Sequence, residues 1–244
     1  MKAFVFAAGK GTRLKPLTDT TPKPLIEVGG TTPLLRTLRL LQQAGIQEVV
    51  VNVSHLRHQV IEVLKELPAG LKVHISDEGD TPLETAGGIL KALPLLGEAP
   101  FLAVNGDVWW DEEHAPLLAP MMAAFDPQRM AALLAVVSRE KALAFTGPGD
   151  FERAASGQLE MRLVTGAPTA AWVYACVQIL QPRFFVGQAV AARSLREDYL
   201  RWAAAGQLYG HVYTGDWVDI GSPEQLEAAR ARFGEQRLRT SHAE

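Results

Sequence analysis

The chain alternates short apolar runs with segments in which apolar residues recur every three or four positions. Ala3 to Ala8 (AFVFAA) is a short apolar run ended by Gly9, the pattern of a buried strand. Pro33 to Ala44 (PLLRTLRLLQQA) puts Leu34, Leu38 and Leu41 on one helical face, and Gly45 supplies a stop. Glu48 to Val53 (EVVVNV) reads as a strand. Leu56 to Leu67 reads as a helix with Val60, Ile61, Leu64 and Leu67 inward. Lys72 to Ser76 is a third strand, Thr85 to Leu93 a short helix, and Phe101 to Asn105 (FLAVN) a fourth strand.

This order predicts an α/β fold with a mainly parallel central sheet and helices on both faces. The second half is less regular. His114 to Phe125 is expected to be a helix, and Ala131 to Ser138 and Ala171 to Leu180 strands. Pro182 to Phe185 and Leu195 to Ala205 read as helical, and Leu208 to Tyr213 and Trp217 to Asp219 as strands. Residues 139–170, rich in Gly, Ala and Pro, are read as short strands and a loop over the ligand site, a small mixed β extension. Ser222-Pro223-Glu224-Gln225 is a capping box with proline at the first helical position, opening a last helix to about Arg232.

Ligands of such sheets lie at the carboxyl ends of the strands. The loop after Ala8, the turn Asp77-Glu78-Gly79-Asp80 and the tripeptide Asn105-Gly106-Asp107 all fall there. Composition narrows the classes. With 244 residues, 48% of them hydrophobic, the chain can bury one large α/β core. A formal charge of −3 offers no global basic field, so a nucleic-acid partner is not expected. The single cysteine, Cys176, excludes a disulfide within the chain and a cysteine-rich metal site. The first strand starts at the N-terminus with no charged-then-apolar leader, and no apolar stretch is of spanning length. A cytoplasmic protein without a membrane partner, monomeric or homodimeric, is expected.

The first 25 residues carry the sharpest chemistry. A glycine loop after a strand lets backbone N–H groups approach phosphate oxygens, and Arg13 and Lys23 bring positive charge to the same place. The string G-x-x-x-x-G-K-[ST] is absent, and Leu14 occupies the third glycine position of a dinucleotide fingerprint. What remains is G-x-G-x-R-L followed by Pro22-Lys23-Pro24-Leu25. Asp107 and Asp219, in Asn105-Gly106-Asp107 and Trp217-Val218-Asp219-Ile220-Gly221, are carboxylates placed to hold Mg²⁺, which takes one or two carboxylates plus phosphates. The alternatives are a β-turn at Asn-Gly and a structural ion pair at Asp219.

The compound motif resembles that of the sugar-1-phosphate nucleotidyltransferases, the enzymes that make nucleoside-diphosphate sugars. PLET-x-GG-I at Pro82 to Ile89, NGDVW at Asn105 to Trp109 and the late WVDIG extend the similarity, to about Arg232. Together they resemble the small uridylyltransferases of cell-wall recycling. The resemblance implies a Rossmann-like fold of the nucleotide-diphospho-sugar transferase type, with residues 1–232 as one domain. Its nucleotide-binding part would end near 110, the sugar-phosphate-binding part would fill 111–232, and 233–244 would be a flexible tail. It implies an Mg²⁺-dependent condensation of a nucleoside triphosphate with a sugar-1-phosphate, releasing pyrophosphate; the pair implied is UTP with an aminosugar-1-phosphate, and the alternative is a mannose-1-phosphate guanylyltransferase. Arg13 and Lys23 become the catalytic cations. Ala8, Gly9, Gly11, Thr12, Arg13, Lys23, Thr81 and Gly87 become nucleotide contacts, Glu84, Gly88 and Asn105 sugar-phosphate contacts, and Asp107 and Asp219 ligands of one magnesium.

Two departures add bulk near the sugar pocket: Ala86 where close relatives carry a third glycine, and Tyr174-Ala175-Cys176-Val177 where many carry one. The Glu-Lys-Pro string that holds the sugar phosphate in larger members is absent, leaving Arg153 or Arg162 to replace its lysine. Cys176 is expected to be an inert core residue, and His55 and His58 to face solvent. Trp109 and Trp110 are read either as a sugar platform or as packing. Other readings are a nucleotide-sensing module without turnover, a nucleotidyltransferase with another phosphorylated acceptor, and a nicotinamide-dependent dehydrogenase, which the missing third glycine disfavours.

Overall fold

The computed structural model describes residues 1–65, 67 and 70–234. Its first half follows the expected alternation: β1 (Lys2–Phe6), α1 (Pro33–Gln43), β2 (Glu48–Val53), α2 (Arg57–Lys65), β3 (Lys72–Asp77), α3 (Glu84–Leu96) and β4 (Phe101–Asn105). Then come β5 (Val108–Trp110), α4 (Leu118–Ala124), β6 (Ala132–Ser138), β7 (Phe151–Arg153), β8 (Leu159–Met161), α5 (Arg162–Thr165) and β9 (Trp172–Leu180). The last elements are α6 (Arg196–Ala204), β10 (Leu208–Tyr213), β11 (Trp217–Asp219) and α7 (Pro223–Phe233).

The main sheet runs in the order β10-β6-β9-β4-β1-β2-β3, with β7 and β8 attached beside β9. Strands β3, β2, β1 and β4 are mutually parallel, and so are β10 and β6; β9 runs antiparallel between β4 and β6. The period of two in each strand divides the core. Ala3 and Val5 of β1 face Leu34, Leu38 and Leu41 of α1 and Val60 of α2, while Phe4 faces Ile89 and Leu96 of α3. Helices therefore cover both faces.

Register places the ligand rim. Phe6 at the end of β1 pairs with Asn52 on one side and Asn105 on the other, and Val53 pairs with Asp77. The three polar segments expected to converge do so.

Differences from the sequence reading are local. Helix α3 runs on through Pro94 to Leu96: Pro94 has no N–H for the Leu90 carbonyl, but Gly97 N donates to the Leu93 carbonyl at 2.9 Å and closes the last turn. Helix α4 starts later than His114: the Glu112 carboxylate accepts from Leu117 N at 3.0 Å and Leu118 N at 3.2 Å, holding a turn before it. Ser222 caps α7, accepting from Gln225 N at 3.3 Å, as the box predicts. Phe233, assigned to the tail, closes α7 and packs 5.7 Å from Trp109; residues 235–244 of that tail lie outside the described residues. Among the described residues no helix is long and apolar enough to cross a membrane.

Strand β5 was not foreseen. It pairs antiparallel with β11 in a separate ribbon, setting Val108 opposite Asp219. Trp110 and Trp217 pair within that ribbon and are both fully buried. Trp109 lies beneath Phe233 and the Arg36 guanidinium, 4.6 Å from its ring. The tryptophans are packing, not a sugar platform.

Candidate functional site

The β5–β11 ribbon brings the two distant aspartates together. Ile220 N donates to the carbonyl of Asp107 at 3.0 Å, so both carboxylates leave the same short piece of backbone. Lys23 lies between them, in ion-pair contact with Asp107 Oδ2 and 3.8 Å from Asp219 Oδ1. Arg13 stands farther out, its side chain 68% exposed and 3.9 Å from Asp219 Oδ2. Burial works against the Lys23 charge, but Asp107 and Asp219 outweigh it and hold the ammonium above its ordinary pKa. Burial, and then the charge of Asp107, pushes Asp219 up to about 6. Two carboxylates held this close need a cation, and here the ammonium supplies it.

The glycine loop reaches this group by a short route. Ala7 N donates to Asn52 Oδ1 at 2.7 Å, fixing the end of β1. Gly11 takes the left-handed conformation at φ +61° and opens a 3-10 turn over Thr12–Leu14. Thr18 Oγ1 donates to the Gly11 carbonyl at 2.9 Å. Leu14, at the position where a dinucleotide loop has glycine, is buried with Trp109 and Val218, tying the loop to the ribbon that carries Asp219.

Two cavities adjoin here. The smaller, about 380 Å³, is lined by Ala8, Gly9, Lys23, Glu84, Asn105 and Asp107, among others. The larger, about 570 Å³, includes Asp219, Cys176, Tyr174, Asp150, Arg162 and Arg196 in its walls. Asn105, Phe6, Thr85 and Ser194 line both. Asp107 thus faces one cavity, Asp219 the other, and Lys23 touches both carboxylates.

Other expected contacts are placed differently. Gly11, Thr12 and Arg13 stand outside both cavity walls, on the loop at the rim, and Thr81 is exposed beside Pro82. Gly87 and Gly88 are buried, and their missing Cβ makes room for protein atoms instead of an open ligand face. A Cβ on Gly87 would lie 2.2 Å from the Ala191 carbonyl oxygen, and one on Gly88 2.6 Å from Glu78 Oε1. The N–H groups of Ala86 and Gly87 donate to the Arg193 carbonyl, so the first turn of α3 is covered by the segment before α6. Arg153 turns away, donating to the Gly210 carbonyl at 2.9 Å, whereas Arg162 lines the larger cavity. His58 is exposed, but His55 is half-buried, its Nε2 2.9 Å from the Thr18 carbonyl.

Three features were missed. Asn52 Nδ2 donates to Glu78 Oε1 at 2.7 Å, and Glu78 Oε2 accepts from Leu83 N at 2.7 Å. This buried network lines the smaller cavity, and the signal for it was an asparagine inside the apolar run EVVVNV. Gly88→Ala would drive a methyl into it, and we expect a loss of about 2 kcal/mol. That corresponds to a melting temperature lower by roughly 4–8 °C, read by calorimetry; an unchanged transition would show that the network yields freely.

Cys176 is the second. It lies at φ +62°, where β9 slips register against β6 between Leu134 and Val136; it is buried in the core as expected, and it also forms part of the wall of the larger cavity. A left-handed position favours glycine, so a cysteine here carries backbone strain. Burial, with Asp219 and Asp107 nearby, pushes the thiol well above its ordinary pKa, so it stays protonated and unreactive. The third is Arg196, hidden in sequence among the charges of a helix start.

Among the described residues no group of three or more His, Cys, Asp or Glu side chains could hold a metal ion. A divalent ion would draw two carboxylates from Asp107 and Asp219 and its remaining oxygens from phosphates and water, the way magnesium is commonly held. The pair fits such an ion.

Known proteins resemble this chain over nearly its whole length. A family model described as nucleotidyl transferase matches residues 2–146. N-acetylmuramate alpha-1-phosphate uridylyltransferases of Caulobacter vibrioides and Neisseria meningitidis serogroup B are 37% and 36% identical over 236 residues, covering 96% of this chain and 97% and 99% of theirs. A mannose-1-phosphate guanyltransferase of Yarrowia lipolytica is 30% identical over 93% of this chain and 62% of its own. Among solved structures, HddC from Yersinia pseudotuberculosis complexed with GMP-PN superposes with a TM-score of 0.75 at 20% identity, covering 95% of this chain and 99% of that one. A UDP-glucose pyrophosphorylase from Acinetobacter baumanii gives 0.76 at 15%, covering 100% and 98%. At such identities these structures attest the fold.

Proposed function

Since the chain belongs to the nucleotidyl transferase family, as a sugar-1-phosphate nucleotidyltransferase, we propose that it joins UTP to N-acetylmuramate-1-phosphate. The products are UDP-N-acetylmuramate and pyrophosphate. The reading is carried by the placement of Lys23 between Asp107 and Asp219, where the two cavities meet. The full-length identity to uridylyltransferases of that substrate supports the choice of acceptor.

The nucleotide occupies the smaller cavity, with its phosphates turned to the loop that carries Gly9, Gly11 and Arg13. The sugar phosphate enters from the larger one. An oxygen of its phosphate attacks the α-phosphorus, the bond from that phosphorus to the bridging oxygen breaks, and pyrophosphate departs with the electron pair. A phosphate is already ionised, so no side chain has to remove a proton. Lys23 holds the phosphate groups against each other, and Arg13 steadies the departing pyrophosphate. Arg162, one of two arginines that line the acceptor cavity, takes the place of the absent lysine. Asp107 and Asp219 would hold Mg²⁺, which when bound would supply further positive charge against the phosphates. Residues 1–110 serve the nucleotide and 111–232 the sugar phosphate within one domain.

Pyrophosphate release tests this directly. UTP, GTP, CTP and dTTP are crossed with the 1-phosphates of N-acetylmuramate, N-acetylglucosamine, mannose and glucose. We expect UTP with N-acetylmuramate-1-phosphate to give the highest kcat/KM, by about tenfold or more. Release only from GTP with mannose-1-phosphate would replace this reading, and release from no pair would favour a sensing module.

A further inference from the structure

The larger cavity is lined by two guanidiniums, Arg162 and Arg196, one more than the acceptor phosphate is assigned above. Its titratable groups fall into two sets. Asp219 interacts with Asp107, Lys23 and Arg13. Asp150, whose pKa burial raises, interacts instead with Arg162 and Arg196. Cys176 lines the same cavity as Asp219 and Asp150, and its thiol feels both carboxylates. Asp150 is anchored by its Oδ2, which accepts from Tyr174 N at 2.9 Å. Two guanidiniums against one carboxylate leave a net positive charge at this second set.

The arginines are not equivalent. Arg162 is committed in part, donating from Nε to the Gly149 carbonyl at 3.0 Å and from its Nη1 to the Ala167 carbonyl at 3.4 Å. Arg193 and Arg201 both bind the buried Asp198. The Arg196 side chain lines the cavity and makes no hydrogen bond or ion pair among the described residues. It begins α6, directly after Ser194 and Leu195, and Leu195 N is fixed by Thr85 Oγ1 at 2.8 Å. A planar fork on a fixed helix start suits bidentate capture of a carboxylate.

We propose that Arg196 is a specificity-determining residue, which selects an acceptor bearing a carboxylate in addition to its anomeric phosphate. The inference rests on the nucleotidyltransferase reading above and deepens it. N-acetylmuramate differs from N-acetylglucosamine by a lactyl ether that ends in a carboxylate, so the two 1-phosphates form a matched pair of probes.

Wild type, Arg196→Gln and Arg196→Lys are assayed with UTP and each probe, and binding of each probe is measured by calorimetry without nucleotide. The preference for the carboxylate-bearing acceptor, as a ratio of kcat/KM values, should fall about tenfold or more in Arg196→Gln, mostly through KM, and in part return in Arg196→Lys. An unchanged ratio in Arg196→Gln, or a wild type that binds both probes equally, overturns the inference while transfer stays intact. Absence of pyrophosphate release from wild type with either probe defeats the earlier reading instead, and calorimetry still decides this one. A variant that merely misfolds loses both probes alike and leaves the ratio where it was, which counts against the inference.

Discussion

Lys23→Ala is expected to lower kcat with UTP and the sugar-1-phosphate by about 10³-fold, the scale seen when one preorganised charge-stabilising donor is removed. Lys23 is partly buried at the end of a loop fixed by Pro22 and Pro24, with its ammonium between Asp107 and Asp219. Its pKa is raised, so at neutral pH it is a fixed positive charge, pre-positioned before substrate arrives. The phosphates gain a partner without the protein having to reorganise, and that advantage grows as the charge spreads in the transition state. Alanine removes the charge and leaves two facing carboxylates, which would repel an incoming phosphate. Lys23→Arg should recover little, because a planar fork cannot occupy the place of a compact ammonium in contact with Asp107. Steady-state kinetics and a circular dichroism spectrum separate the two explanations of a loss. If Lys23 only holds the ribbon in place, kcat stays within tenfold of wild type while the melting temperature falls.

Much of this arrangement was legible before any coordinates. The strands of the first half carry a strong apolar signal, and their parallel order alone puts Gly9, Asp77 and Asn105 on one rim. The paired cations were legible because Arg13 and Lys23 flank a glycine loop with few other uses. The meeting of Asp107 with Asp219 was inferred through resemblance, since its physical cause, the three-residue strand Val108–Trp110 pairing with Trp217–Asp219, is too short to show a period. The helix start at Glu84 misled for a related reason. Gly87 and Gly88 look like an open anion site, but whether a segment more than a hundred residues later covers that helix end is a tertiary fact. Cys176 was legible as a buried, inert core residue, but its place at a cavity wall was not, because a register slip inside a long apolar strand leaves no trace in composition.

Asp107→Asn and Asp219→Asn should each reduce kcat by about 10³-fold or more, and the double variant should be no worse than the poorer single by more than about tenfold. The reason is geometric. The carboxylates sit on one hydrogen-bonded ribbon, so in the proposed reading they act as a single two-pronged site, and removal of either prong should weaken its hold on an ion sharply. Groups that act as a unit lose their effect at the first substitution. Independent roles would instead multiply, giving a double variant close to 10⁶-fold down by simple additivity. Binding supplies a readout separate from turnover. With a non-hydrolysable UTP analogue present, Mn²⁺ followed by electron paramagnetic resonance should bind wild type and be lost alike from both singles and the double. Chelation of divalent ions should likewise stop pyrophosphate release by wild type, and Mg²⁺ should restore it. Retained Mn²⁺ affinity in Asp219→Asn would place the ion on Asp107 and the phosphates alone, and would reduce Asp219 to the partner that keeps Lys23 charged and in position.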